Sequence, residues 1–194
     1  MRKKTTPELP LIQDVRAELN REKYKRRYFS VFGSTASALL IVAAAAILIV
    51  TLWLPVLQIY GSSMTPSLRD GEIICAVKTS ELDPGDIAAF YYHNKILVKR
   101  VIGGSGDWVN IDRDGTVTVN EVRLEEPYLT EKALGDCNID LPFQVPDDRF
   151  FVMGDHRAAS VDSRNTAIGC VSREQIIGKI LFRIWPLNRL GAVN

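Results

Sequence analysis

Histidine, cysteine and, over one long interval, charge of either sign are what this 194-residue chain has least of, and each shortage removes a class of function. There are two histidines and three cysteines. Cys75, Cys137 and Cys170 form no Cys-x-x-Cys pair, and no histidine stands beside them at ligand spacing, which argues against a zinc site. No metal or other cofactor is expected. An odd cysteine count leaves at least one thiol over, and the spacing specifies no disulfide. There is no internal repeat and no low-complexity tract. With 46% hydrophobic and 24% charged residues, the chain has room for one folded domain plus an anchor, and is too short for two sizeable cores.

Between Tyr28 and Leu68 there is no charged side chain at all. Within that interval Thr35–Leu54 is apolar enough for a transmembrane helix, since twenty residues at about 1.5 Å each reach roughly 30 Å, the hydrocarbon thickness of a bilayer. A core helix would show a polar face, and a cleavable secretory signal would have an apolar stretch of only about 7–15 residues. Trp53 and Pro55 stand where an interfacial aromatic and a helix stop belong. The sequence therefore predicts an anchor over 35–55.

Charge is divided across that anchor. Residues 1–34 hold nine Lys or Arg against four Asp or Glu, whereas the remaining 160 hold fifteen against nineteen. The formal +1 conceals +5 on one side and −4 on the other. By the positive-inside rule residues 1–34 stay cytoplasmic and residues 56–194 form an extracytoplasmic domain at the plasma membrane. The same rule explains the basic cluster Arg21, Lys23, Lys25, Arg26 and Arg27 without a nucleic-acid partner.

The exported part reads as strands over 72–78, 86–92, 95–102, 108–112, 116–119, 149–153 and 176–185, separated by turns such as Asp83-Pro84-Gly85-Asp86 and Gly103-Gly104-Ser105-Gly106. A mainly β, antiparallel domain is expected. Residues 124–146 show little periodicity and read as a surface excursion or insertion rather than a separate domain.

Three clusters in this part carry chemistry. Ser63, in Gly61-Ser62-Ser63-Met64-Thr65-Pro66-Ser67-Leu68, would alone be an ordinary turn serine, but Gly61 and Pro66 constrain its loop. Lys99 stands in the apolar strand Leu97-Val98-Lys99-Arg100-Val101, where burial would disfavour its ammonium form and leave an amine able to act as general base. The alternative is an edge lysine reaching water. The polar loop Gly154–Arg164 follows an apolar strand. In it Ser160 can fix the lysine amine, Asp162 and Arg164 can pair, and Asp155 can tie the loop down. Serine plus neutral lysine is a metal-free variant of triad logic.

These blocks, with Gly71, Asp86, the run Lys99-Arg100-Val101-Ile102-Gly103 and the ending Gly178–Pro186, closely resemble the bacterial type I signal peptidases over residues 55–190. The resemblance is to Gram-positive members, which share Gly61 where some Gram-negative ones place an oxyanion-binding serine. It implies Ser63 as nucleophile, Lys99 as base, Ser160 as the hydroxyl orienting the lysine, and Asp162 with Arg164 as a supporting ion pair. It also implies an extended substrate, the signal peptide of an exported preprotein, lying beside Leu57, Ile59, Leu97 and Val98. Those apolar walls suit alanine and point to an Ala-x-Ala cleavage motif. The bilayer and a nearby secretion translocon are the expected partners.

Histidine at 156 departs from the usual Gly-Asp-Asn-Arg and is a rival base, as in endoplasmic-reticulum relatives, although Lys99 already fills the lysine position. The remaining alternatives are a dedicated processing protease of the same fold, a self-cleaving repressor peptidase, and an anchored binding module without activity. The anchor opposes the second, and intact Ser63 and Lys99 oppose the third.

Overall fold

The computed structural model describes residues 12–193; the first eleven residues of the expected cytoplasmic segment, and Asn194, lie outside the described residues. The chain divides into two compact units, Met1–Ile49 and Val50–Asn194. Helix α1 spans Ile12–Trp53, and its stretch Glu18–Trp53 is long and apolar enough to cross a membrane. It begins well before the predicted 35–55 boundary. Glu, Lys and Arg are good helix formers, so the basic stretch continues the helix, and Glu22 and Lys25 meet across one turn at 3.7 Å. The helix stops just before Leu54-Pro55 because a residue preceding proline is driven out of the α region. From Thr35 onward every side of the helix is apolar, and its described side chains are all exposed.

The second unit is built from twelve short strands: β1 (Val56–Gln58), β2 (Ile73–Val77), β3 (Ile87–Tyr92), β4 (Lys95–Gly103), β5 (Trp108–Ile111), β6 (Val117–Val119), β7 (Val122–Arg123), β8 (Phe143–Gln144), β9 (Arg149–Met153), β10 (Val171–Ser172), β11 (Ile176–Trp185) and β12 (Gly191–Ala192). One sheet runs β1-β2-β11-β3-β4-β9-β10, with β12 on β11, and the other runs β7-β6-β5-β8. Every pairing is antiparallel. The seven expected strands are present. The other five have two or three residues each, too few for an alternation to show.

Strand β4 positions the chemistry, because its two halves differ. Lys95–Arg100 pair with β3, but only from Arg100 does β9 pair on the other side, Arg100 opposite Met153 and Val101 opposite Val152. Lys95 and Ile96 are exposed, Leu97 and Val98 half-buried, and Lys99 onward buried. The expected alternation holds for its apolar side chains: Leu97 and Val101 join a cluster with Phe90 and Val152, while Val98 packs with Ile59, Met64 and Leu68.

The stretch 124–146 is not the surface excursion its polarity suggested. Leu124, Leu134, Ile139, Leu141 and Phe143 pack on a core of Ile102, Val109, Phe151 and Met153. Its apolar residues are spaced irregularly, so neither a helical nor a strand period marks them as buried.

Candidate active site

The loop that carries Ser63, the expected nucleophile, is the closed segment 59–72. Its neck is fastened by backbone bonds, the Ile59 amide to the Glu72 carbonyl at 2.8 Å and the Gly71 amide to the Ile59 carbonyl at 2.9 Å. Gly61 adopts φ +89°, a conformation that side-chain-bearing residues rarely take, and donates its amide to the Asp70 carboxylate at 2.6 Å. Beyond Ser63, Met64 and Leu68 are buried, and the Leu68 amide bonds to the Met64 carbonyl at 2.8 Å, closing one helical turn. These two apolar anchors plug the loop into the core. Arg183 grips it from β11, donating to the Ser67 carbonyl at 2.6 Å and pairing with buried Glu72 at 2.8 Å.

Lys99, only 4% exposed, donates from Nζ to Ser63 Oγ at 2.7 Å. Residues 36 positions apart are thus in direct contact, the arrangement the expected dyad requires. Burial is the main influence on the amine and lowers its pKa from 10.5 to about 8; the Asp162 charge opposes that shift, Arg164 reinforces it and Asp155 opposes it. A substantial neutral fraction is therefore present at mildly alkaline pH.

The third cluster meets the nucleophile loop through its backbone, the His156 amide bonding to the Ser63 carbonyl at 3.0 Å. Gly154 makes this approach possible. A Cβ there would stand against Ser160 Oγ and only 2.5 Å from the Ser63 carbonyl oxygen, closer than real contacts allow. Its amide donates to Asp162 Oδ2 at 2.9 Å.

Three buried arginine–carboxylate pairs back the dyad. Arg164 forks onto Asp162 with Nε and Nη2 both at 2.8 Å, and its other nitrogen reaches the Leu134 carbonyl at 2.6 Å. Burial alone would raise the Asp162 carboxyl, but the Arg164 hydrogen bond and charge, the Gly154 amide and the Ser160 hydroxyl hold it below its usual range. Arg100 forks onto Asp155 at 2.9 and 2.8 Å and lies 3.8 Å from the ring centre of Tyr128. Arg157 pairs with Glu126, which also accepts from the Tyr128 hydroxyl at 3.1 Å. Since each charge is matched, the polar loop can be buried without a lone ion.

Ser160 is buried, yet its hydroxyl has no well-formed hydrogen bond among the described residues, and the bond to the lysine amine comes from Ser63 rather than Ser160. The hydroxyl sits over Gly154, near Asp162. His156 is exposed, and His93 lies in the turn between β3 and β4. Neither makes a recorded contact with Ser63 Oγ, whereas Lys99 does.

Leu57, Ile59, Leu97 and Val98 all line one cavity of about 680 Å³ that ends at Ser63 and Lys99. Its other walls include Tyr60, Gly61, Met64 and Ile96.

Residues 32–185 match the model of the family described as signal peptidase, peptidase S26. The chain belongs to that family. It is 33% identical over 188 residues to signal peptidase I of Bacillus licheniformis, covering 89% of this chain and 98% of that one. Against signal peptidase I of Bacillus amyloliquefaciens the identity is 36%, over 87% and 96%. Against signal peptidase IB of Staphylococcus aureus it is 37%, over 67% of this chain and 77% of that one. A crystal structure of a signal peptidase I from Enterococcus faecalis V583 is 29% identical and covers 51% of this chain and 96% of that one, with a TM-score of 0.42. The protein is thus a peptidase of the signal peptidase I type.

Within this signal peptidase, sequence reasoning missed Asp70, Arg100, Glu126, Tyr128, Arg157 and Gly154 as parts that hold the site. Glu126 and Tyr128 come from the misread stretch 124–146. Arg100 had a signal: a second cation inside an apolar strand, beside the first, needs a buried partner of its own.

Proposed function

We propose that this protein removes N-terminal signal peptides from exported preproteins with Ser63 as nucleophile and neutral Lys99 as general base. The 2.7 Å contact between Lys99 Nζ and Ser63 Oγ carries this reading. With the amine neutral, the Ser63 hydroxyl donates along that contact, loses its proton to Nζ as it attacks the scissile carbonyl, and the ammonium then returns a proton to the departing amine. Water, deprotonated in turn by Lys99, releases the acyl group.

Among the described residues no acceptor takes the Ser63 amide hydrogen, which leaves it available to an oxyanion. The Gly61 amide is already committed to Asp70, so it supplies no second donor. Ser160, whose buried hydroxyl lies near Asp162, is the proposed second contact of the amine once the proton has moved. Asp162 and Arg164 hold that loop, and Asp155 holds β4 through Arg100.

The substrate lies extended in the 680 Å³ cavity, whose β1 side and β4 side both present unpaired strand edges, Val56–Gln58 bonding only to β2 and Lys95–Val98 only to β3. Leu57, Ile59, Leu97 and Val98 make shallow apolar walls, which fit alanine one and three residues before the cut and would leave a charge desolvated. Helix α1 anchors the enzyme in the plasma membrane, with residues 1–34 cytoplasmic and the catalytic unit outside, where precursors emerge from the translocon.

The test is cleavage of a precursor carrying an Ala-x-Ala site by the full chain in detergent, with the new N-terminus sequenced. One cut immediately after the second alanine is expected, abolished in Ser63→Ala and in Lys99→Ala. Retained cleavage in either variant would overturn the dyad, and a cut elsewhere would overturn the specificity.

A further inference from the structure

The nucleophile loop has a cavity on each side. Ser63 and Met64 face the substrate cavity just described, whereas Thr65, two residues on, lines a second cavity of about 250 Å³ with Thr130, Glu131, Ala133, Asp155, His156 and Ala158. This second space is next to the reacting centre, since the His156 amide is bonded to the Ser63 carbonyl at 3.0 Å. Building on the proposed reaction, the acyl half of the substrate fills the first cavity, so the half that leaves must run past Ser63 in the other direction. Two extended residues cover about 7 Å, enough to pass from the scissile bond beyond a loop residue two positions away.

The lining is chemically uneven. Asp155 is neutralised, because both its oxygens accept from Arg100 at 2.9 and 2.8 Å. Arg157, nearby in sequence, is buried and matched by Glu126. The neighbouring cation Lys132 turns aside, donating weakly to Thr116 Oγ1 at 3.5 Å. Glu131 is the exception: it is exposed and has no ion pair among the described residues. The lining therefore includes one acidic residue without an ion pair among the described residues, Glu131, together with Thr65, Thr130 and His156, the last at the position where the sequence departs from the family's usual asparagine.

We propose that this cavity is the subsite for the first residues of the released mature chain, and that Glu131 makes the enzyme prefer a lysine or arginine among the first three residues after the cut. The preference is a matter of charge at a half-open site, so its expected size is modest: an exposed ion pair corresponds to up to about fivefold in an equilibrium or rate ratio.

The experiment compares kcat/KM of the full-length protein in detergent micelles for precursors identical through the Ala-x-Ala site. Lysine, alanine or glutamate is placed in turn at each of the three following positions. For at least one position the wild type is expected to favour lysine over glutamate by about three- to fivefold. Glu131→Gln should bring that ratio close to one, and Glu131→Lys should reverse it. A ratio is insensitive to loss of folded enzyme, because both substrates see the same preparation. Equal rates for lysine and glutamate in the wild type at all three positions, or a ratio unchanged by both substitutions, overturns the subsite alone. Failure of the wild type to cut any of these precursors overturns the parent reaction and the subsite with it.

Discussion

Burial of Lys99 sets the enzyme's response to pH in two separable ways. In the proposed mechanism the reactive form is the amine, and its pKa is lowered to about 8, so kcat/KM is expected to rise about tenfold per pH unit below pH 8 and to level off above it. A rate profile that is flat from pH 6 to 10 would contradict that assignment. Stability carries the same signature with its own sign. An unfolded chain holds the Lys99 proton up to its ordinary 10.5, whereas the folded chain releases it near 8, so between those values the unfolded state binds more protons and folding stability rises with pH. Below pH 8 the buried ammonium is a cost. Lys99→Met removes the cost, and its melting temperature is expected to exceed the wild type's at pH 7, with a difference that shrinks as pH approaches 10. Calorimetry across that range, alongside complete loss of cleavage, separates a catalytic role from a folding defect. Asp162 behaves oppositely. Truncating it to alanine strands the Arg164 guanidinium at 0% exposure, which is expected to cost about 3–5 kcal/mol in chemical denaturation, a large share of a domain's roughly 5–15 kcal/mol.

At the scale of elements, the proposed dyad relies on the 59–72 loop and the loop after β9 meeting backbone to backbone. Gly154 is the residue that permits it, since a Cβ would collide with Ser160 and with the Ser63 carbonyl. Gly154→Ala is expected to displace Ser63 from Lys99 and lower kcat by about a hundredfold, the loss typical of a misplacement near 1 Å. Wild-type turnover in this variant would show that the contact is dispensable. The same elements show what was legible in the sequence. Long strands such as β4 and β11 alternate or run apolar for nine or ten residues, so they were predicted to within a residue or two. Ser63 and Lys99 were legible because each is a polar group in a context that needs a reason. The ion pairs Arg100–Asp155 and Arg157–Glu126 join residues 55 and 31 positions apart, and no local pattern encodes such a pairing. Nor can a sequence show that a glycine is required by what another loop brings against it. The buried part of 124–146 was lost for a related reason, as its irregular course has no period to betray which side faces the core.

At the scale of the whole molecule, the two units have opposite solvent requirements. The helix exposes apolar side chains on every face, among them Leu39, Leu40, Ile41, Val42, Ile47 and Leu48, each at least 61% exposed. A row of such residues is unfavourable in water by about 25 cal/mol per Å², which supports the proposed anchoring of this helix in lipid. The second unit, by contrast, has three buried apolar clusters of its own, although Phe182, Ile184, Trp185, Leu187 and Leu190 near its C-terminal end are exposed. Charge supports the proposed direction: nine basic against four acidic residues precede the apolar stretch, and fifteen against nineteen follow it. Under the positive-inside rule the first group resists crossing and the second does not. Protease added to intact spheroplasts is therefore expected to digest an epitope fused after residue 194 and to spare one fused before residue 1. Replacing Arg21, Lys23, Lys25, Arg26 and Arg27 with glutamine removes five of the nine restraining charges, and is expected to give a mixed population in which some catalytic units become protected. An N-terminal epitope digested in the unmodified protein would place the dyad on the cytoplasmic side, where precursors still carry their signal peptides in front of the membrane rather than behind it.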